Sequence, residues 1–196
     1  MDIDRLLEAV DGVTVDLYTS NESMSLQAEY IRDGLVFDDW ANNVERLLDS
    51  GKFRGLHVMC TINALCLDSL DSFLDMVHNW KIEYGRDSIN FSLNILRFPS
   101  FQSALVLDAD DRFRYMCMLQ SWLNNNRDSE FLHEYELNQL QRLIDYLDAV
   151  KTPHLGAAEL HVLQRDFKLF YEQYDERRGK NFAETFPTLA DWYKAL

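Results

Sequence analysis

The chain has 196 residues, 47% of them hydrophobic and 13% aromatic, which is enough for one globular domain and too little for two comfortable ones. With only 7 Gly and 3 Pro, and 27% charged residues, collagen-like, low-complexity and disordered classes are poor fits. The 33 acidic residues outnumber the 19 basic ones and leave a formal charge of −14, which repels a phosphate backbone and argues against nucleic acid as a partner.

The opening residues, MDIDRLLEAVDG, are acidic where a signal peptide is basic and then apolar, and no stretch approaches the about 18 apolar residues of a membrane span. The expectation is a cytoplasmic protein with no membrane contact. Val13 to Ser20 alternates, with Val13, Val15 and Leu17 on one face and Thr14, Asp16, Tyr18 and Ser20 on the other, and predicts a strand. A short helical piece from Leu26 to Arg32 stops at Gly34, and a longer one through Phe37, Trp40, Val44 and Leu48 ends at Ser50-Gly51. Leu56 to Asn63 alternates again and predicts a second strand. The helix through Leu70, Phe73, Leu74, Val77 and Trp80 has Asp68-Ser69 as its expected caps and closes at Tyr84-Gly85. Ser88 to Leu96 predicts a third strand, which Phe98-Pro99-Ser100 turns into loop.

After Asp108 three helical patterns follow, over Phe113–Leu123, Leu137–Leu147 and Leu160–Tyr174, with a short closing helix near Thr188. The domain organisation expected is a βαβαβ unit over residues 1–107 and a helical C-terminal region over 108–196 packed on it. Strands separated by long helical crossovers point to parallel pairing, because antiparallel neighbours need only a short turn. An antiparallel sheet with one wet face is the alternative that alternation by itself leaves open.

Parallel strands covered on both sides usually read as unbroken apolar runs, whereas these three carry one face of Thr, Asp, Tyr, Ser, His and Asn. Such a face suits the inside of a partial (half) β/α barrel, where ligand chemistry collects at the carboxyl ends of the strands. Those ends hold Ser20 and Asn21, Thr61 and Asn63, and Asn94 with Arg97.

Several strings in order carry a family resemblance: Ala28-Glu29-Tyr30-Ile31-Arg32-Asp33-Gly34, then Thr61-Ile62-Asn63, then the Asn94-to-Pro99 string, then Tyr174-Asp175-Glu176-Arg177-Arg178-Gly179-Lys180-Asn181-Phe182 and Phe186-Pro187-Thr188-Leu189. Together they resemble radical S-adenosylmethionine (radical SAM) proteins with a twitch or SPASM-like C-terminal extension, of the kind found in phage and marine bacterial genomes. The resemblance implies a partial (β/α)6 barrel, a 4Fe–4S iron–sulfur cluster held by C-x3-C-x2-C, and S-adenosylmethionine as cofactor, with a peptide or small molecule as substrate. It also implies that Ser20 contacts the SAM ribose and Arg32 its carboxylate, although the family's Ser-x-Asp stands here as Ser20-Asn21-Glu22.

The cysteine motif is absent. Cys60, Cys66 and Cys117 are odd in number and wrongly spaced for a cluster loop, a disulfide framework or a zinc ribbon, so no metal is expected on this chain by itself. A gene fragment or split gene product, a degenerate relative and a trimmed chain each fit, the first being favoured. An N-terminal half-barrel polypeptide, or a second copy in a homodimer, would then cover the open sheet edges.

The candidate cofactor-binding residues are therefore Ser20, Asn21, Arg32, Thr61, Asn63 and Asn94. Each has a plainer reading: Arg32 pairing with Glu29 or Asp33, Ser20 ending a strand, and the Asn residues serving turns. His57 is expected to be a packing residue, His133-Glu134 lacks the second histidine of a metal motif, and Asp108-Ala109-Asp110-Asp111 favours a helix N-terminus rather than calcium. The alternative function is a non-catalytic acidic interaction or scaffold protein, of viral origin in one version, with a DNA mimic as another.

Overall fold

The computed structural model describes residues 3–151 and 155–196. It is a mixed α/β fold. Nine α-helices occur among the described residues: α1 (Ile3–Ala9), α2 (Ser25–Ile31), α3 (Phe37–Ser50), α4 (Leu70–Tyr84), α5 (Ala109–Asn126), α6 (Glu134–Leu147), α7 (Ala157–Arg178), α8 (Phe182–Thr185) and α9 (Ala190–Ala195). Three strands, β1 (Asp16–Thr19), β2 (Gly55–Ile62) and β3 (Ile89–Ile95), form one sheet in the order β1-β2-β3. Both pairings are parallel, with Tyr18 level with His57 and Asn90, and Thr61 level with Asn94.

The alternation does what a period of two requires. Leu56, Val58, Cys60 and Ile62 of β2 and Ile89, Phe91 and Leu93 of β3 lie in the core with Phe73, Leu74 and Val77 of α4. Each such side chain contributes about 1.5–3 kcal/mol by leaving water. Much of the opposite face stays open: Tyr18, Met59, Thr61 and Asn94 are exposed, while Asn90 is buried. His57 stacks on Tyr18 with ring centroids 4.7 Å apart, at the amino-terminal end of the sheet. Gly55 keeps room for that ring, since a Cβ there would sit 3.2 Å from His57 Nε2.

β1 is shorter than the stretch Val13–Ser20 predicts. A strand needs a partner, and β1 pairs only with Gly55–Val58; Val13 N–H instead bonds back to the Val10 carbonyl. Gly51, at φ 59°, closes α3 in the left-handed conformation that glycine adopts without a Cβ penalty. The expected capping of α4 by Asp68 and Ser69 is not made. Ser69 offers no cap bond, and both side chains bond across the fold instead: Ser69 to Ser23, and Asp68 to Gln27, Tyr115 and Thr188. The region before α4 is also more helical than its pattern indicates, with a 3-10 turn at Cys66–Ser69.

The two edges of the sheet differ. Along β3, α6 presents Glu136, Gln139 and Arg142 at a spacing of three. Glu136 accepts the Phe91 N–H (3.1 Å), Gln139 accepts the Leu93 N–H (2.6 Å), and Arg142 donates to the Leu93 carbonyl (3.0 Å). Side chains of a helix thus take the place of a neighbouring strand. Glu136 also receives Lys81 Nζ at 2.9 and 3.0 Å, and Lys81 donates to Asn90 at 2.8 Å, with both charged groups fully buried. Along β1 no strand follows outward, and among the described residues its outer backbone groups meet no backbone partner.

The tail closes on α2. Tyr30 donates to Asp175 (2.7 Å), Tyr174 donates to the Tyr30 carbonyl (2.7 Å), and Asp33 receives Arg178 and Lys180 at 2.5 and 3.1 Å. The α2 string and the tail string that carry the family resemblance are therefore in direct contact. Buried residues from Ile3 to Leu189 form one hydrophobic cluster. No helix among the described residues is long and apolar enough to cross a membrane.

Candidate functional site

Just after β1 the chain turns inward. Asn21 is fully buried, and its Oδ1 accepts the N–H groups of Glu22 (2.9 Å) and Ser23 (3.4 Å), the local bond that lets Asn organise a turn. Ser23 is pinned to Ser69 by a 2.7 Å hydroxyl contact. The turn sends Glu22, only 2% exposed, across the carboxyl end of β2, where its Oε2 accepts the Thr61 N–H at 3.3 Å. Arg32, the residue that closes α2, reaches the same oxygen at 2.5 Å.

These groups border a cleft of about 260 Å³ lined by Glu22, Arg32, Thr61, Asn63, Gln102 and Tyr171, with Ile31 and Leu96 as apolar wall. The Asn63 oxygen is occupied by the Leu65 and Cys66 N–H groups (2.9 and 3.1 Å), and its amide donates to the Thr61 carbonyl. Gln102 donates to the Tyr171 hydroxyl at 3.4 Å. Burial pushes the Tyr171 phenol upward, so it stays protonated and able to donate. Arg32 Nε is buried and without a partner among the described residues. The cleft thus offers an acidic acceptor and a guanidinium donor side by side, with hydroxyl and amide groups around them, and suits orientation of a polar ligand.

Of the six residues the sequence singles out, the structure brings Arg32, Thr61 and Asn63 to this cleft. Asn21 shapes the turn behind it. Ser20 is exposed at the end of β1 and is not among the lining residues. Asn94 is level with Thr61 but lines a neighbouring concavity with Arg97 and Arg142. The plainer reading of Arg32 is corrected: its partner is Glu22, while Asp33 takes Arg178 and Lys180, and Glu29 accepts the Phe37 N–H. Glu22 is missed among the sequence candidates, and its place as the acid of Ser20-Asn21-Glu22 is the signal that could have found it; Gln102 and Tyr171 lie 69 residues apart and no local pattern joins them.

The thiols do not make a cluster site. Cys60 and Cys66 are buried, Cys117 is exposed on α5, and no group of three metal-ligating side chains exists among the described residues. Burial, with the Glu22 carboxylate nearby, raises both buried thiols well above the ordinary range, which keeps them protonated and poor as ligands. A 4Fe–4S cluster does not fit this chain's own cysteines. The two histidines weighed in the sequence have structural partners: His57 stacks on Tyr18, and His133 stands at the N-cap of α6, where its N–H is accepted by Glu136, and lies 3.1 Å from Asp87. Asp108 stands at the N-terminus of α5 and accepts from Gln164 at 2.8 Å.

Comparisons with family models, with curated proteins and with solved structures returned no match.

Proposed function

We propose that this chain is the C-terminal portion of a radical SAM protein of the twitch type. Its three strands are half of a β/α barrel that contributes to binding S-adenosylmethionine and a peptide or small-molecule substrate. It is catalytically incomplete by itself, and the cluster-binding cysteines belong to an N-terminal half-barrel on another polypeptide. The observation that carries this reading is the Glu22–Arg32 cleft at the carboxyl ends of parallel strands, where barrel enzymes assemble their sites.

The chemistry of the cleft supports it. A carboxylate such as Glu22 accepts from a vicinal diol, and a guanidinium such as Arg32 holds a carboxylate through paired N–H groups. An adenosyl ligand bearing an amino acid presents both. At 260 Å³ the cleft is smaller than the about 300–1,000 Å³ of a complete small-molecule pocket, so the remainder of the ligand lies over Thr61 and the open face of the sheet. The asymmetry of the edges agrees: β3 is sealed by α6, and β1 is free to accept further strands.

The test is equilibrium dialysis with labelled S-adenosylmethionine, using the chain alone and the chain mixed with a CxxxCxxC-bearing half-barrel polypeptide reconstituted with iron and sulfide. Binding to the mixture, weakened about tenfold by Glu22→Gln or Arg32→Gln, is expected. Absence of binding to the mixture at millimolar ligand overturns the reading in favour of an acidic interaction protein.

A further inference from the structure

A second concavity, of about 550 Å³, opens beside the carboxyl end of β3. It is lined by Asn94, Ile95, Arg97, Arg142, Asp145, Tyr146 and Lys151, and it differs from the Glu22 cleft in sign. In a chain with 33 acidic and 19 basic residues, most cations find a carboxylate; Arg46, Arg54, Arg114 and Arg178 are examples. Arg97 and Arg142 do not. Arg97 has no hydrogen-bond or ion-pair partner among the described residues, and Arg142 gives one N–H to the Leu93 carbonyl and meets no carboxylate. That two such arginines face one hollow is contrary to the charge balance of the whole surface.

The hollow is also preorganised. Arg142 is fixed by Leu93, and the helix that carries it is tied to β3 through Glu136 and Gln139. Tyr146 forms a wall whose hydroxyl is held by Ser103 at 2.9 Å. Asp145 is bound by Lys151 and Gln141, which hold its carboxyl below the usual range and keep it ionised. With Asp145 counted against Arg97, Arg142 and Lys151, a net of two positive charges remains. A carboxylate is satisfied by one guanidinium, whereas two guanidiniums that meet no carboxylate and line one hollow, one from a loop and one from a helix, suit a group with three terminal oxygens and a double negative charge.

We propose that this concavity is a binding site for a phosphate group, held by Arg97 and Arg142 with support from Lys151 and the Asn94 amide. It uses neither Glu22 nor Arg32, so it stands or falls apart from the reading of the first cleft.

The test is a titration of the full chain by amide NMR at constant ionic strength and mildly alkaline pH, with inorganic phosphate, phenyl phosphate and acetate. Saturable shifts at Asn94, Arg97 and Arg142 are expected with phosphate and not with acetate. Arg97→Gln and Arg142→Gln should each weaken binding about tenfold, while Arg177→Gln on α7 leaves it unchanged. Arg97 is exposed and has no partner to lose, so its variant keeps the fold. Binding of phenyl phosphate as well as inorganic phosphate assigns the site to phosphate esters, and inorganic phosphate alone assigns it to the free anion; both uphold the proposal. Shifts that never saturate, that acetate reproduces, or that persist unchanged in Arg97→Gln overturn it.

Discussion

Glu22 and Arg32 show how a polar pair is held at the end of an apolar sheet. Glu22 is almost fully buried, and Arg32, with its side chain 30% exposed, supplies the counter-charge at 2.5 Å. Removing one partner of such a pair leaves the other charged and desolvated, which costs more than the pair itself is worth. Arg32→Ala is expected to lower stability in urea denaturation by about 2 kcal/mol, and adding Glu22→Leu to that variant should restore most of the loss. If the double variant is as unstable as Arg32→Ala, the cost lies in packing and not in the stranded carboxylate. Thr61 could be picked out from its position at a strand end, and Arg32 only through the family resemblance. Gln102 and Tyr171 could not, because the loop after β3 and the middle of α7 meet only through the tertiary fold.

At the level of elements, α6 is the part whose role the sequence concealed. Its apolar positions Leu137, Leu140, Ile144 and Leu147 predict a packed helix correctly, but Glu136, Gln139 and Arg142 look like an ordinary solvated stripe. They are instead the partners of a strand edge, and Lys81, on a helix predicted from its apolar face, is buried against them. Periodicity identifies which residues are apolar; it does not say which polar residues are needed inside. Glu136 accepts Lys81, the Phe91 N–H and the His133 N–H, whereas Lys81 loses only Glu136 and Asn90. Glu136→Ala is therefore expected to cost about 4 kcal/mol, more than Lys81→Met, which leaves the carboxylate two backbone donors. Hydrogen exchange at Phe91 should accelerate in the Glu136 variant and stay slow in the Lys81 variant. From β1 to α7 the strand and helix order was legible from alternation and from glycine stops such as Gly51 and Gly85, while α1, α8 and the 3-10 turns after β2 and β3 are too short to show a readable period.

For the molecule as a whole, a charge of −14 over 196 residues sets a repulsion that packing must overcome. Added salt screens exposed charges beyond about 10 Å at 0.1 M. The melting temperature is expected to rise from low to moderate sodium chloride, and a fall would mean that surface ion pairs such as Arg46–Asp4 outweigh the repulsion. The unequal sheet edges carry a further consequence for assembly. Two copies meeting along β1 about a closed two-fold axis would set the outward N–H and C=O groups of each residue against those of its mate. An antiparallel ladder uses that arrangement; a parallel one needs facing residues whose groups point alternately toward and away from each other. Self-association through this edge would consequently reverse the strand direction at the midpoint and stop there, and growth in a single direction requires a chain of different sequence.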